Sequence, residues 1–375
     1  MKLFEYQAKE IFEGSDIRVP KRTLIKEISE LNEAIRQVGV PCVIKAQVLQ
    51  GGRGKAGLIQ FAEGLEEAKK KTYEVISRAK NMYYLMVEEA INIDKEFYIS
   101  ITADPISGCA MIMASAEGGV DIEEIAKTMP EKIIKTYVNL SEGLLPHQAH
   151  NLLYELGIDE SMISQGTQLL FNLYDVYCKN DAELVEINPL MLTKEGSFVA
   201  GDGKISIDDN ALYRHPQFSL TREHFESDVQ YEAAVEGIPY LQFDGDIGLM
   251  CAGAGLTNTV FDLVNDYRSS VACYLEFGGP NYHKAVKAMK LIMQSELKVL
   301  LVVTFGTIAR ADVMAQGLVD AMKELKPDFP IVTAIRGTGE EKAHEILRGF
   351  GLEPLADMEE AVKKAIELAG GALVE

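Results

Sequence analysis

The chain has 375 residues, of which 47% are hydrophobic, and this length predicts two or three domains with sizeable cores. Its formal net charge of −20 argues against nucleic acid or an anionic membrane as a partner. The five scattered cysteines form neither a CxxC pair nor a zinc spacing, and no secretion signal or membrane-length apolar run is found, so we expect buried, reduced thiols in a cytoplasmic protein.

The first elements of the chain lead into a basic, glycine-rich loop. Apolar residues at helical spacing over Phe4–Phe12 predict a short amphipathic helix, and an apolar strand follows at Cys42–Gln47. That strand carries Lys45 and runs into Gly51–Lys55, which reads GGRGK. Glycines let backbone N–H groups approach an anion closely, so this loop is typical of a phosphate cradle. It lacks the Walker A spacing, and on composition alone an ordinary surface hairpin is an equal alternative.

The next part of the chain is predicted to contain helices and an antiparallel meander. A charged pattern over Leu65–Lys80 predicts a surface helix. Strand-like segments follow at Met82–Glu88, Phe97–Ala103 and Cys109–Ala114, with turn residues between the last two, and they indicate a meander. A further helix is expected around Ser161–Cys178.

Acidic and amide side chains cluster at predicted strand ends of this region. The strand Ala182–Ile187 is predicted to end at the Asn188-Pro189 pair, and Glu186 and Asn188 lie on one face because strand side chains alternate. Asp202 stands between two glycines. Magnesium takes oxygen ligands from one or two protein groups together with nucleotide phosphates, a role that suits Asn188 and Asp202. For any one of these residues, a solvated strand end is the alternative.

The pattern changes to that of a parallel α/β domain at residue 246. A polar region, Tyr213–Gly237, precedes it, and we place the domain boundary late in that region. The predicted domains are therefore 1–232 and 233–375. Apolar strands then alternate with helical segments; the strands cover residues 246–253, 271–277, 298–305 and 331–335.

Glycine turns follow the first three of these strands, at Gly253–Gly255, Gly278–Gly279 and Gly306-Thr307. In a parallel sheet such turns lie at the carboxyl edge, where ligands bind. The first turn also begins a helix, whose free N–H groups and partial positive charge favour an anion. Simple packing of a strand and a helix is an equal alternative for that turn. None of the six histidines lies in a glycine turn.

Six segments of the chain are specific enough to indicate a family. They are LFEYQAKEIF, QGGRGKAG, MASAEGGVDIE, VEINPLMLTKEG, GDGKISIDDNALYR and, in the second domain, GAGL. In this order they resemble the β subunit of ADP-forming succinate–CoA ligase along the entire chain. The resemblance implies an α/β protein with an ATP-grasp domain followed by a parallel-sheet, flavodoxin-like CoA-ligase domain. It also implies a partner α subunit, in an αβ or α2β2 complex, that binds CoA and carries a histidine phosphorylated during turnover.

The resemblance assigns roles to residues of the first domain. Those that resemble nucleotide-binding residues are Lys45, Gly52, Arg53, Gly54, Glu88, Ile91 and Glu96. Asn188 and Asp202 resemble the ligands of Mg²⁺, which would accompany ATP or ADP. Glu186 resembles the carboxylate that meets the partner's histidine, where it would favour one imidazole tautomer and stabilise positive charge.

The departures from the family lie in the half that binds the acid. Ala252 stands where the family has asparagine, and Thr307, Ile308 and Ala309 lie in a turn that the family reads Gly-Gly-Ile-Val. Loss of this asparagine removes a hydrogen bond to the carboxylate of the acid, and a hydrogen bond of this kind contributes on the order of 1.5–3 kcal/mol. The resemblance implies reversible, ATP-dependent acyl-CoA formation through an acyl phosphate, with succinate as the default acid and another carboxylic acid as the alternative.

Two other functions stay open at this point. One is a stand-alone ATP-grasp ligase that joins a carboxylate to an amine, against which the resemblance of the second domain argues. The other is a catalytically inactive nucleotide-binding subunit. The argument against it is that four residues are intact: Lys45, Glu186, Asn188 and Asp202.

Overall fold

A computed structural model describes residues 1–79, 82 and 84–371 of the chain. It divides into two compact units, Met1–His224 and Phe225–Glu375. The boundary predicted between residues 232 and 233 falls inside the helix Asp228–Val235, and it stays a prediction. Among the described residues, no helix has the length and apolar character needed to cross a membrane.

Two antiparallel sheets form the framework of the first unit. The smaller sheet has the strands β1 (Arg22–Ile25), β2 (Cys42–Gln47), β3 (Ile59–Ala62) and β4 (Tyr84–Glu89), in the order β1-β4-β2-β3. The larger sheet has the strands β5 (Ile93–Asp104), β6 (Cys109–Ser115), β7 (Ile134–Val138), β8 (Ala182–Thr193), β9 (Phe198–Ala200) and β10 (Lys204–Ile207). Its order is β10-β8-β5-β6-β7, and β9 pairs with β8.

Helices cover these sheets and bury their apolar faces. They are α1 (Glu5–Gly14), α2 (Leu31–Val38), α3 (Leu65–Arg78), α4 (Ile122–Thr128), α5 (Pro146–Glu155) and α6 (Glu160–Lys179). Helix α1 buries Ala8 and Phe12 in the core of the larger sheet, as its apolar spacing predicts. Helices α2 and α3 pack on the smaller sheet. The predicted end of α3, Lys80, lies outside the described residues, as does Tyr83 in the strand predicted at Met82–Glu88.

Two predictions about strands were wrong. Strand β4 does not belong to the meander of β5 and β6; it pairs with β1 and β2 in the other sheet, because a strand pattern does not specify its partner. Strand β8 does not end at the Asn188-Pro189 pair. Its pairing with β5 shifts register at this place, between the pairs Ile99–Ile187 and Phe97–Leu190. Such an irregularity accommodates a proline, which has no N–H to donate to the ladder.

The second unit is a sheet with helices on both faces, which confirms the predicted parallel α/β architecture. Its elements are α7 (Asp228–Val235), β11 (Tyr240–Gln242), β12 (Ile247–Cys251), α8 (Ala254–Asp266), β13 (Val271–Glu276), α9 (Ala285–Ile292), β14 (Val299–Gly306), α10 (Ala311–Leu325), β15 (Ile331–Gly337), α11 (Glu340–Gly349) and α12 (Met358–Leu368). The sheet order is β11-β13-β12-β14-β15, with β11 antiparallel to the rest.

The order of the parallel strands creates a switch point at the carboxyl edge. Counted along the chain, it is second-first-third-fourth, as in flavodoxin-like folds. Helix α8 packs with α12 in one core, whereas α9, α10 and α11 share the core on the opposite face. The chain therefore leaves the neighbouring strands β12 and β14 toward opposite faces, and a crevice opens between the two turns that follow them.

The prediction that every cysteine is buried was wrong for two of them. Cys42, Cys251 and Cys273 are buried, but Cys109 is partly exposed and Cys178 is exposed. Both exceptions lie near the end of an element, where an apolar neighbourhood in sequence does not guarantee burial. Burial raises the pKa of the Cys251 thiol to about 12, which fits an inert structural thiol.

Candidate functional site

A network of charged side chains joins the two sheets and helix α1 in the first unit. We call it the charge network; its members are Glu5, Lys9, Lys45, Arg53, Glu88 and Asp202. All of them except Asp202 are buried. Buried charges are stable only when they are paired and hydrogen-bonded. The structure therefore brings together four of the predicted site residues, and it adds Glu5 and Lys9.

Lys45 lies at the centre of the charge network. Its Nζ atom is 2.7 Å from Glu88 Oε1, 2.9 Å from Glu5 Oε1 and 2.7 Å from the carbonyl oxygen of Gly201. Strand β2 carries Lys45 opposite Met86 of β4, which puts it on the same face as Glu88. Burial alone lowers the pKa of Lys45, but the two carboxylates outweigh it and raise that pKa well above its ordinary value. Lys45 is therefore a permanently charged cation.

The glycine-rich loop directs Arg53 inward. Its Nη2 atom donates to both carboxylate oxygens of Asp202 at 2.7 Å, and its Nη1 atom donates to Glu5 Oε2 at 2.6 Å. Gly52 and Gly54 beside it are exposed, and a side chain on either would meet open space. Gly52 has φ of +73°, a conformation that glycine adopts without strain. An exposed glycine backbone next to the buried side chain of an arginine is a suitable arrangement for binding an anion.

Polar side chains share one face of the larger sheet beside this network. Glu186 of β8 is opposite Lys204 of β10, and Leu190 of β8 is opposite Ala200 of β9. Glu186 and Asn188 are two positions apart in β8 and lie on one face, and Asp202 lies in the turn between β9 and β10. The Tyr98 hydroxyl donates to Glu186 Oε2 at 3.3 Å. Burial raises the pKa of Glu186, although the nearby Lys204 ammonium partly opposes this rise.

Asn188 is held by the segment Gly118–Val120. It accepts a hydrogen bond from the N–H of Gly119 at 2.8 Å and donates to the carbonyl of Val120 at 2.9 Å. Glu96 adjoins the same segment, since its backbone carbonyl accepts from Gly118 N–H at 3.2 Å. Ile91 lies partly buried in the connection between β4 and β5. Among the predicted nucleotide-binding residues, Glu96 and Ile91 therefore lie outside the charge network.

Asn188 and Asp202 supply the kinds of oxygen atom that a magnesium ion takes as ligands. An amide oxygen and a carboxylate are typical donors for this ion. In the part of the chain that the structure describes, no group of three or more His, Cys, Asp or Glu residues forms a metal site. Both oxygens of Asp202 accept from Arg53, and a metal ion there would compete with that pair. The remaining ligands would have to be phosphate oxygens and water.

The predicted acid-binding residues flank the switch point of the second unit. Ala252 follows β12, and Thr307, Ile308 and Ala309 follow the neighbouring strand β14. Ile308 is 92% exposed, and Thr307 is exposed with its carbonyl accepting from the Thr338 hydroxyl at 3.0 Å. The structure thus brings the two turns together at the edge of the sheet where ligands bind in such folds.

Sequence reasoning missed Glu276, which lies at the end of β13 beside this crevice. Its carboxylate accepts from Gly253 N–H at 3.1 Å, from Gly278 N–H at 2.7 Å and from the Tyr274 hydroxyl at 2.6 Å. The Gly253 N–H, expected from the sequence to be free for an anion, is thus already paired with a carboxylate of the chain itself. An acid would have to bind beside Glu276 or displace it.

Two other residues were missed in the first unit, Glu5 and Lys9. They are four positions apart in α1, a spacing that usually indicates an exposed ion pair. Burial alone raises the pKa of Glu5, but Lys45, Lys9 and Arg53 together lower it well below its ordinary value. Nothing in the local pattern distinguishes this buried pair from a solvated one, since its partners are distant in sequence.

Comparison with known families matches both units. Residues 2–192 match the family model of the ATP-grasp domain, and residues 250–368 match that of the CoA-ligase domain. These matches confirm the predicted order of an ATP-grasp domain and a CoA-ligase domain.

Several characterised proteins are similar to the chain over nearly its full length. An ADP-forming sulfoacetate–CoA ligase subunit, SauC of Bilophila wadsworthia, is 53% identical and covers 99% of this chain and 100% of its own. A subunit of the same description, SqwK of an Acholeplasma species, is 54% identical, with coverages of 99% and 92%. The β subunit of the ADP-forming succinate–CoA ligase of Persephonella marina is 38% identical, with coverages of 99% and 100%.

A solved structure has the same fold. The ATP citrate lyase of Methanothrix soehngenii, in complex with citrate and coenzyme A, superimposes with a TM-score of 0.75. The superposition covers 98% of this chain and 99% of that one at 23% sequence identity, so it shows the fold alone.

Proposed function

The chain belongs to the family of ADP-forming acid–CoA ligase subunits, and from this membership we propose that it is the nucleotide-binding, β-type subunit of such an enzyme. In the thioester-forming direction the complex would convert a carboxylic acid, ATP and CoA into acyl-CoA, ADP and phosphate. The observation that carries this proposal is the charge network, in which the glycine-loop arginine pairs with Asp202 and shares Glu5 with the strand lysine.

In this function, Lys45 and Arg53 bind the nucleotide phosphates with the backbone of Gly52 and Gly54. The side chains of Glu88 and Glu96 and the backbone at Ile91 complete the nucleotide site. Phosphoryl transfer rests chiefly on positioning and on charge stabilisation, which two buried cations supply. Mg²⁺ held by Asn188 and Asp202 would neutralise phosphate charge. Lys45 and Arg53 are both paired with carboxylates of the chain, so nucleotide binding requires them to exchange these partners for phosphates.

A partner α subunit completes the enzyme. It would bind CoA and carry the histidine that passes the phosphoryl group between the nucleotide and the acid, in an αβ or α2β2 complex in the cytoplasm. Glu186 would accept a hydrogen bond from that histidine, orient its ring and stabilise its positive charge. Glu186 shares a face of β8 with Asn188, one of the two proposed magnesium ligands.

The acid we propose is sulfoacetate. The two relatives described as sulfoacetate–CoA ligase subunits are 53% and 54% identical, against 38% for the succinate enzyme of P. marina. At the switch point, Ala252 has no side chain that could donate a hydrogen bond to the acid. Thr307 adds a hydroxyl at a position of the turn where succinate–CoA ligases have glycine.

The test is an acid panel with the complex of this chain and its partner subunit. We expect kcat/KM for sulfoacetate to exceed that for succinate by at least about tenfold, because one lost or misplaced hydrogen bond to a charged group has this effect. The double change Ala252→Asn and Thr307→Gly should move the ratio toward succinate and leave the KM for ATP unchanged as an internal control. A preference of the unaltered complex for succinate would refute this choice of acid.

A further inference from the structure

Lys9 and Lys45 share the same acceptors. The Lys9 ammonium lies 2.9 Å from Glu5 Oε1 and 2.8 Å from the Gly201 carbonyl, and it also donates to Glu88. Lys45 contacts Glu5, Glu88 and the Gly201 carbonyl as well. Two lysines on different elements, α1 and β2, thus neutralise one set of groups.

We propose that Lys9 is a positioning residue for nucleotide binding, the counter-ion that keeps Glu5 and Glu88 paired while Lys45 turns to the phosphates. The proposal rests on the function proposed above, in which Lys45 binds the nucleotide. Lys9 itself does not touch the nucleotide, because its side chain is 0% exposed and its ammonium is paired with both carboxylates. The side chains of Lys45 and Arg53 are 7% and 9% exposed and lie nearer to the surface.

Charge balance in the charge network supports this role. Three carboxylates, Glu5, Glu88 and Asp202, face three cations, Lys9, Lys45 and Arg53. A buried carboxylate without a partner is strongly destabilising. If Lys9 were absent, movement of Lys45 and Arg53 to the phosphates would leave Glu5 and Glu88 buried without a cation, which is strongly destabilising. With Lys9 in place, both carboxylates retain a cation throughout the exchange.

The decisive variant is Lys9→Met, which removes the charge and approximately retains the length of the side chain. We expect the Kd for Mg-ADP of the full chain, and the KM for ATP of the complex, to rise by about tenfold to a hundredfold. The kcat at saturating ATP should stay within about threefold, since Lys9 touches no reacting atom. Lys179→Met, on an exposed pair of α6 in the same unit, is the matched control and should change neither constant.

Glu5→Gln separates positioning from mere stabilisation of the fold. This change releases Lys45 and Arg53 from one carboxylate, so nucleotide affinity should equal or exceed that of the unaltered chain even where thermal stability falls. In the double variant Lys9→Met with Glu5→Gln, Lys45 is the only cation left for Glu88, so Mg-ADP binding should be weaker than in Glu5→Gln alone.

The outcomes distinguish this inference from the proposed function. An unaltered chain that fails to bind Mg-ADP would refute the proposed function and the inference with it. If the unaltered chain binds Mg-ADP, then wild-type affinity in a folded Lys9→Met variant overturns the inference alone. Should Lys9→Met not fold, the inference still fails if Glu5→Gln weakens Mg-ADP binding or if the folded double variant binds Mg-ADP as tightly as Glu5→Gln.

Discussion

Replacing Glu186 by glutamine should lower acyl-CoA formation by the complex at least about a hundredfold and leave Mg-ADP affinity within about threefold. In the proposed function this carboxylate, which shares a face of β8 with Asn188, meets the partner's histidine. Glutamine keeps the size and the contact with Tyr98 but cannot stabilise an imidazolium. The measurement is steady-state turnover together with calorimetric titration of Mg-ADP.

The pH dependence gives this prediction a second readout. Because burial raises the pKa of Glu186, its ionised form is reached at a higher pH than for an exposed glutamate. The turnover of the unaltered complex should therefore fall as pH decreases through that raised pKa, and the residual turnover of Glu186→Gln should lack this acidic limb. Glu183→Gln, on the exposed end of the same strand, is the control. Full activity in Glu186→Gln would remove the residue from the mechanism.

Replacing Asp202 by asparagine should abolish the part of nucleotide stabilisation that depends on magnesium. A ligand at a hundred times its Kd stabilises a protein by about 2.7 kcal/mol, so the loss is readily seen as a smaller thermal shift. The fold should survive, because Arg53 keeps Glu5 as a partner and the Asp202 side chain is already 28% exposed. The shift is measured with ADP in the presence of Mg²⁺ and again in the presence of a chelator.

The matched control for this prediction is an aspartate outside the charge network. Asp175→Asn, on the exposed face of α6, should retain the full magnesium-dependent shift. An undiminished shift in Asp202→Asn would show that the magnesium ion is held elsewhere. A shift lost equally with and without Mg²⁺ would instead assign Asp202 to the positioning of Arg53.

Local patterns in the sequence predict the elements that carry the site, but not their partners. Strand β2 lies where its apolar run predicts it, at Cys42–Gln47, and so does the turn that follows β14. The convergence of Ala252 and Thr307 was also predictable, because both follow parallel strands. The sheet to which β4 belongs was not, since alternation of side chains marks a strand without naming its neighbour.

The buried charges were the hardest part to predict. Lys45 and Arg53 were found because they lie in or beside a glycine-rich loop, whereas Glu5 and Lys9 resemble an ordinary ion pair on a helix surface. Their burial depends on contacts with residues as distant as Gly201, which no window of sequence contains. Glu276 was missed for a similar reason, since its partners Gly253 and Gly278 belong to two different turns.

The stoichiometry of products tests the proposed ligase activity most directly. The complex of this chain with its partner subunit is given sulfoacetate, ATP, CoA and Mg²⁺, and ADP and thioester are quantified together. We expect one ADP for each acyl-CoA formed, and no acyl-CoA from this chain alone, because the proposed function assigns CoA binding and the phosphorylated histidine to the partner. Acyl-CoA made by the isolated chain, or ATP hydrolysis by the complex without any thioester from the acid panel, would contradict the function proposed here.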